Sequence, residues 1–283
     1  MAKKKILTDE DFEELNRITW EELEQGNRTS VTIVHDDGSI WYKGMYGGFG
    51  DKPFLKHRLC YPAWPYSITL QCDALDRCGK VADDENSTLE DIIDAVNAEF
   101  EQVDDSAIEA ALWFFMGSQF TLYEECEEDS LNCCEKALEL FRELSRETPV
   151  VYLQYVVGTL DVMGVVELNL RRFDDAEKKF KEGLEICRRS MIECSAIDWT
   201  YQTIVAYQHL AMAYEGKELP QKAKPFIEEG WRTFLSNEDV PIPTDFYKTL
   251  VENVVRIHLA CGERDKAEAF WNEYAESDQE FPW

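Results

Sequence analysis

"AYQHLAMAYEGKELPQKAKPFIEEG", residues 206–230, decides the fold. Up to Tyr214 its apolar and small residues recur at helical spacing, so one face of a helix is apolar. Gly216 and Pro220 then bracket a break, with glycine past the end of one helix and proline at the start of the next. A second helical run follows, with Ala223, Ile227 and Gly230 on one side. A helical hairpin of this kind leaves an apolar face that another unit has to cover, and the rest of the chain supplies such units. Trp113, Met116, Gly117 and Phe120 are matched 47 residues later by Leu160, Met163, Gly164 and Glu167. After 47 more come Tyr207, Leu210, Ala211 and Tyr214, and after a further 44 come Val251, Val254, Val255 and His258. The second helices carry their own small-large rhythm: Ala176, Phe180 and Gly183; Ala223, Ile227 and Gly230; Ala267, Trp271 and Tyr274.

"WFFMGSQF" and "AEKKF" together resemble the tetratricopeptide repeat (TPR), whose pattern is W-x2-L-G-x2-Y followed by A-x3-F. The resemblance covers about residues 106–277 and implies a mainly α, TPR-like solenoid of about four helical hairpins. Small residues at Gly117, Gly164 and Ala211 let paired helices approach closely, and larger ones around them fill the space. Each unit buries its apolar face only by stacking on the next. The period of 44 to 47 exceeds the 34 of the family, so both helices should be longer by a turn or more. HEAT repeats have a similar period and are the alternative architecture. In the first unit the acidic "EECEED" enlarges the turn. Its second helix then has two possible phases, one on Cys133 and one on Ala137 and Phe141.

Residues 1–105 have a different texture and read as a small α/β module. "TDEDFEELNRITWEELEQGN" is an N-capped amphipathic helix, and "SVTIVHDDGSIWYKG" alternates around Asp37-Gly38 as a β-hairpin does. "YSITLQC" reads as a further strand and "STLEDIIDAVNAEFEQV" as a second capped helix. The glycines of "GMYGGFGDKPF" do not open a helix, so they form a turn-rich loop and not a phosphate cradle. In "CYPAWPYS" Trp64 stands between two prolines, which suits a loop pinned on the core or an aromatic docking surface. Residues 106–283 form the repeat domain.

The formal net charge is −28. Such a balance repels phosphate backbones and anionic lipid, so nucleic acid and membrane are not expected partners. It suits a soluble surface and, more sharply, a basic partner. Three N-terminal lysines precede no apolar run, no stretch has the length of a membrane span, and a cytoplasmic location is expected. The nine cysteines form no CxxC pair, so reduced, buried thiols are expected and no metal or other cofactor.

No nucleophile elbow, P-loop, zinc-protease or dinucleotide fingerprint is present, and the chain is not expected to be an enzyme. Cys60 and His57 are three residues apart with no orienting partner. The resemblance implies a protein–protein interaction module that binds a basic peptide or protein on the solenoid surface. The alternative is an acidic inhibitor or immunity-type protein that masks a basic toxin or nucleic-acid enzyme. Family groove positions, carried over one by one, fall on Asp161 and Asn169 in the second unit. In the third they fall on Gln208, Met212 and Glu215, and in the fourth on Glu252 and Arg256. The resemblance implies that these seven form a solvated, acid-leaning groove.

Overall fold

The computed structural model of the chain describes residues 30–34, 40–45, 58–59, 70–71, 73–147, 149–193, 199–237, 244–275 and 281. Two antiparallel strand pairs come first. β1 (Ser30–Val34) pairs with β2 (Ile40–Met45), Ser30 opposite Met45, and β3 (Arg58–Leu59) pairs with β4 (Leu70–Gln71). The β1–β2 register fits a hairpin closed around Asp37-Gly38, although that turn itself lies outside the described residues. Outside them too lie the first amphipathic helix, the "CYPAWPYS" loop and the glycine-rich segment beyond Met45. The α/β module expected over residues 1–105 therefore falls largely outside the described residues.

Ten helices follow among the described residues: α1 (Asp73–Ala82), α2 (Leu89–Phe100), α3 (Ser106–Phe120), α4 (Glu127–Glu147), α5 (Pro149–Asn169), α6 (Phe173–Glu193), α7 (Thr200–Gly216), α8 (Pro220–Ser236), α9 (Thr244–Ala260) and α10 (Arg264–Tyr274). α2 starts at a capping box. The Thr88 hydroxyl accepts from the Asp91 N–H, and the Asp91 carboxylate accepts from the Thr88 N–H at 2.8 Å. Asp105 caps α3 by accepting from the N–H groups of Ala107 and Ile108. α1 has no counterpart in the sequence reading: Gly79 interrupts it, and of its described side chains only Leu75 and Cys78 are fully buried. It is tied to α2 by Arg77, whose guanidinium donates twice to Glu99 at 2.6 Å. Both helices pack on α3 and share the core of the first repeats.

From Ser106 on, the helices pair as four hairpins, α3/α4, α5/α6, α7/α8 and α9/α10, each second helix also packing on the next first helix. α5 and α6 are 21 residues long and α7 and α8 are 17, which accounts for the long period. The close contacts fall where the repeat spacing puts them. A Cβ on Gly164 would land inside the Phe180 ring, and Ala211 is fully buried. A Cβ on Gly117 would stand 2.6 Å from the Cys134 Sγ, and the Ser130 hydroxyl donates to the Gly117 carbonyl at 2.7 Å. Since Gly164 faces Phe180, Cys134 holds the place of Phe180 and Ser130 that of Ala176. The first unit therefore takes neither phase read from the sequence, because its small residue is a serine that satisfies its own hydroxyl.

The turns repeat too. Glu125, Arg171, Glu218 and Gly262 each have φ between 59° and 77°, one in every hairpin connection. Only the last is a glycine, so the other three hold a conformation that costs a side-chain-bearing residue about 1–2 kcal/mol. Neighbouring turns are stapled by charge. Arg172 pairs with Glu128, and Lys224 donates to Glu263 at 2.6 Å.

Candidate functional site

The two helix types of each hairpin bury themselves differently. α8 buries Ala223, Ile227, Gly230, Trp231 and Phe234, a single stripe at helical spacing. α7 buries every residue from Thr200 to Ala211. α7 lies between its own second helix, the preceding one and the first helices α5 and α9 on either side, so from Thr200 to Ala211 it has no water-facing side. A polar residue on an enclosed stretch of such a helix is drawn into the interior.

That geometry re-sorts the seven expected groove residues. Asp161 on α5 is buried, and its Oδ1 lies 2.6 Å from the His209 Nδ1 on α7. His209 is buried as well and packs against the Phe180 ring, with centroids 5.1 Å apart. Gln208 is buried, while Met212 and Glu215 are half-buried. Arg256 on α9 closes on Glu215 at 2.7 Å. Asn169, at the C-terminal end of α5, and Glu252 are exposed. A fully solvated row of acids is thus not what these positions form. Asp161 and Gln208 are interior groups, because the helices that carry them are enclosed.

The structure brings forward Gln202, His209 and Asn253, which the sequence reading passed over. All three are buried on first helices. Among the described residues, the Asp161 Oδ2, both amide atoms of Gln202, the Gln208 Oε1 and the Asn253 Nδ2 have no hydrogen-bond partner. A signal for Gln202 and His209 exists in "TYQTIVAYQHLAMAYEG", where glutamines and a histidine interrupt a helix with no polar face.

Asp161 and Gln202 also line a cavity of about 30 Å³ where α5, α6 and α7 meet. Its walls are Val157, Phe180 and Val205, and Gly183 leaves one side open. A Cβ at Gly183 would meet only the Val157 Cγ1, at 3.9 Å.

A second polar cluster lies at the tips of the second and third hairpins. The Glu177 carboxylate accepts from the Tyr214 hydroxyl at 2.6 Å and pairs with Lys217 and Lys181, while Lys217 also reaches Asp174. Burial pushes the Glu177 carboxyl up, but the two lysines and the tyrosine outweigh it and hold it at about 2. These groups are fully engaged with one another and fix the hairpin junction.

The described cysteines are free thiols in packed positions. Burial pushes Cys133 up to about 11, and Cys134 and Cys187 up to about 12, which keeps them protonated and unreactive at neutral pH. Cys60, Cys72, Cys194 and His57 lie outside the described residues. Among the described residues, no helix is long and apolar enough to cross a membrane.

No family model matches the chain, and no curated protein does. Solved structures do. The apo form of RapI superposes with a TM-score of 0.58 at 16% identity, over 71% of this chain and 69% of that one. A Podosopora anserina kinesin light chain protein with nearly identical TPR-like repeats gives 0.51 at 11% identity, over 71% of this chain and 89% of that one. At such identities the likeness is one of fold, and it agrees with the glycine contacts and the recurring turns: the chain is a TPR-like solenoid of helical hairpins.

Proposed function

We propose that the chain is a protein-interaction scaffold whose layer of first helices holds an extended, basic segment of a partner protein. The observation that carries this reading is the set of buried polar side chains on three successive first helices. Asp161 is on α5, Gln202 and Gln208 are on α7, and Asn253 is on α9, each with an unmet atom among the described residues. Leaving a buried donor or acceptor unmet costs about 1–3 kcal/mol, a cost recovered when such a side chain turns outward to a partner's hydrogen bonds. An extended segment presents N–H and C=O groups at regular intervals and can meet several together. The net charge of −28 favours a basic segment by attraction at long range, which acts chiefly on the rate of encounter. Asn169, Met212, Glu252 and the Glu215–Arg256 pair supply the more exposed part of the same surface. The reading includes no catalytic step, no cofactor, no nucleic acid and no membrane, and it takes the chain as cytoplasmic, with α1 and α2 joined to the repeat core and not part of a separate unit over residues 1–105.

Fluorescence anisotropy with extended lysine-rich, neutral and glutamate-rich peptides tests it on the full chain. The lysine-rich set should bind best, lose affinity as salt rises, and associate more slowly with the Glu252→Lys variant. Equal binding of all three sets without salt dependence would remove the basic partner. Binding of none would remove the segment-holding role.

A further inference from the structure

The outward face of α10 departs from those of α6 and α8. On each of these, the residue after the small alanine reaches the next first helix or the turn behind it. Glu177, after Ala176, takes Tyr214 and Lys217, and Lys224, after Ala223, takes Glu263. Their side chains are 17% and 19% exposed. Glu268, after Ala267, stands at the same place on α10. Its side chain is 44% exposed, and it pairs at 2.8 Å with Arg264 of its own helix. No first helix follows α10 among the described residues. A repeat end left in this state needs a cap, because the face that stacks on the next unit is apolar.

Phe281 lies where that cap is needed. Arg264, Glu268 and Trp271 share one side of α10 at helical spacing. The Phe281 ring stands edge-on to Trp271, with an interplanar angle of 74° and centroids 6.4 Å apart. The Arg264 guanidinium lies 5.5 Å from the Phe281 centroid. The ring is half-buried and packs on the core that α7, α8, α9 and α10 share. Trp271 is 4% exposed. Phe281 also precedes Pro282, which disfavours helical backbone at Phe281, so this residue cannot continue as one more helix of the stack.

We propose that Phe281 is an aromatic lid on the repeat interface of α10, standing in for a following first helix. Two contacts hold it, ring edge on Trp271 and cation over ring from Arg264, and both need an aromatic side chain. Each is weak alone, so the lid opens without unfolding the hairpin. The C-terminal end of α10 is fastened separately, since the Tyr247 hydroxyl donates to the Tyr274 carbonyl at 2.8 Å. Another chain can stack on this face only after Phe281 has left it.

The lid does not depend on the first-helix reading, and it is tested on the full chain by amide hydrogen exchange. Phe281→Ala should speed exchange in α10 by about tenfold and leave α3 to α6 at the parent's rates. Phe281→Tyr keeps the ring and should keep the protection. Phe281→Leu keeps apolar bulk without either ring contact and should fall between Phe281→Ala and the parent. Unchanged exchange of α10 in Phe281→Ala would show that the ring covers nothing. Equal acceleration from α3 to α10 would show a general loss of stability in place of a local lid. Protection by leucine equal to that by tyrosine would show that the ring contacts are idle. Each of these results overturns the assignment.

Discussion

α5 and α8 belong to the same repeat architecture but stand in opposite relations to water. α8 shows a single buried stripe and a polar remainder, as a helix at the edge of a stack must. α5 and α7 are enclosed by neighbours over most of their length, so a polar residue there is buried whatever its angle on the helix, while Asn169 and Glu215 near their C-terminal ends are less covered. In the second helices, sequence spacing alone tells inside from outside. In the first helices it does not, and the proposed partner-holding residues are on these.

The comparison breaks most sharply at Asp161. Asp161→Lys removes one half of a buried pair, puts an ammonium into the interior beside His209, and should destabilise by about 3–5 kcal/mol in urea unfolding. Glu252→Lys, on an exposed position of α9, should stay within about 0.5 kcal/mol of the parent. Similar losses from the two would mean that Asp161 is not enclosed.

A smaller effect is expected where the two helix types touch. Gly164→Leu has to displace the Phe180 ring and should cost about 1–3 kcal/mol. An unchanged melting curve would remove Gly164 from the contact.

The hairpin junction sharpens the comparison through pH. Glu177 on α6 is held at about 2 against an ordinary value of 4.5. Its folded-state value is depressed, so its stabilisation is complete above the ordinary value and disappears as pH falls towards about 2. In acid titrations Glu177→Gln should therefore flatten the loss of stability between these two values and leave the neutral limb parallel to the parent. A variant whose acid limb matched the parent's would show that the Lys181, Lys217 and Tyr214 contacts do not select the ionised form.

Thiol labelling sets the buried stripe of the second helices against a hairpin turn. Cys187, held up at about 12, should react slowly in the folded chain and quickly in denaturant, whereas half-buried Cys261, in the turn between α9 and α10, should react before it. The smallest effect belongs to Gly183→Ala, which fills open space in a helix interior and should stabilise by about 0.5–1 kcal/mol. Destabilisation there would mean that the cavity is already occupied by protein atoms.

The repeat was legible because its marks are steric and local. Gly117, Gly164 and Ala211 recur because two helix backbones approach at those points, and any side chain there has to be small. The first unit's register was less legible. Ser130 is small but polar, and its fit depends on donating to the Gly117 carbonyl, a contact that spans thirteen residues. α1 was missed because a short helix with two buried side chains and a central glycine has little period to read. The exposure of the candidate site was legible in part: of the family positions, Met212, Glu252 and Asn169 do reach water to some degree. Asp161 and Gln208 were assigned to solvent because exposure on a first helix depends on what the neighbouring hairpins cover. The pairing of Asp161 with His209 joins residues 48 apart.

That pairing gives the most direct test of the claim that first helices form an enclosed polar layer joining successive hairpins. In a double-mutant cycle of Asp161→Ala and His209→Ala, followed by urea unfolding, the two losses should fall short of additivity by about 0.5–3 kcal/mol. Losses that add to within about 0.3 kcal/mol would mean that the two side chains stand independently in solution, and the enclosed layer would be contradicted.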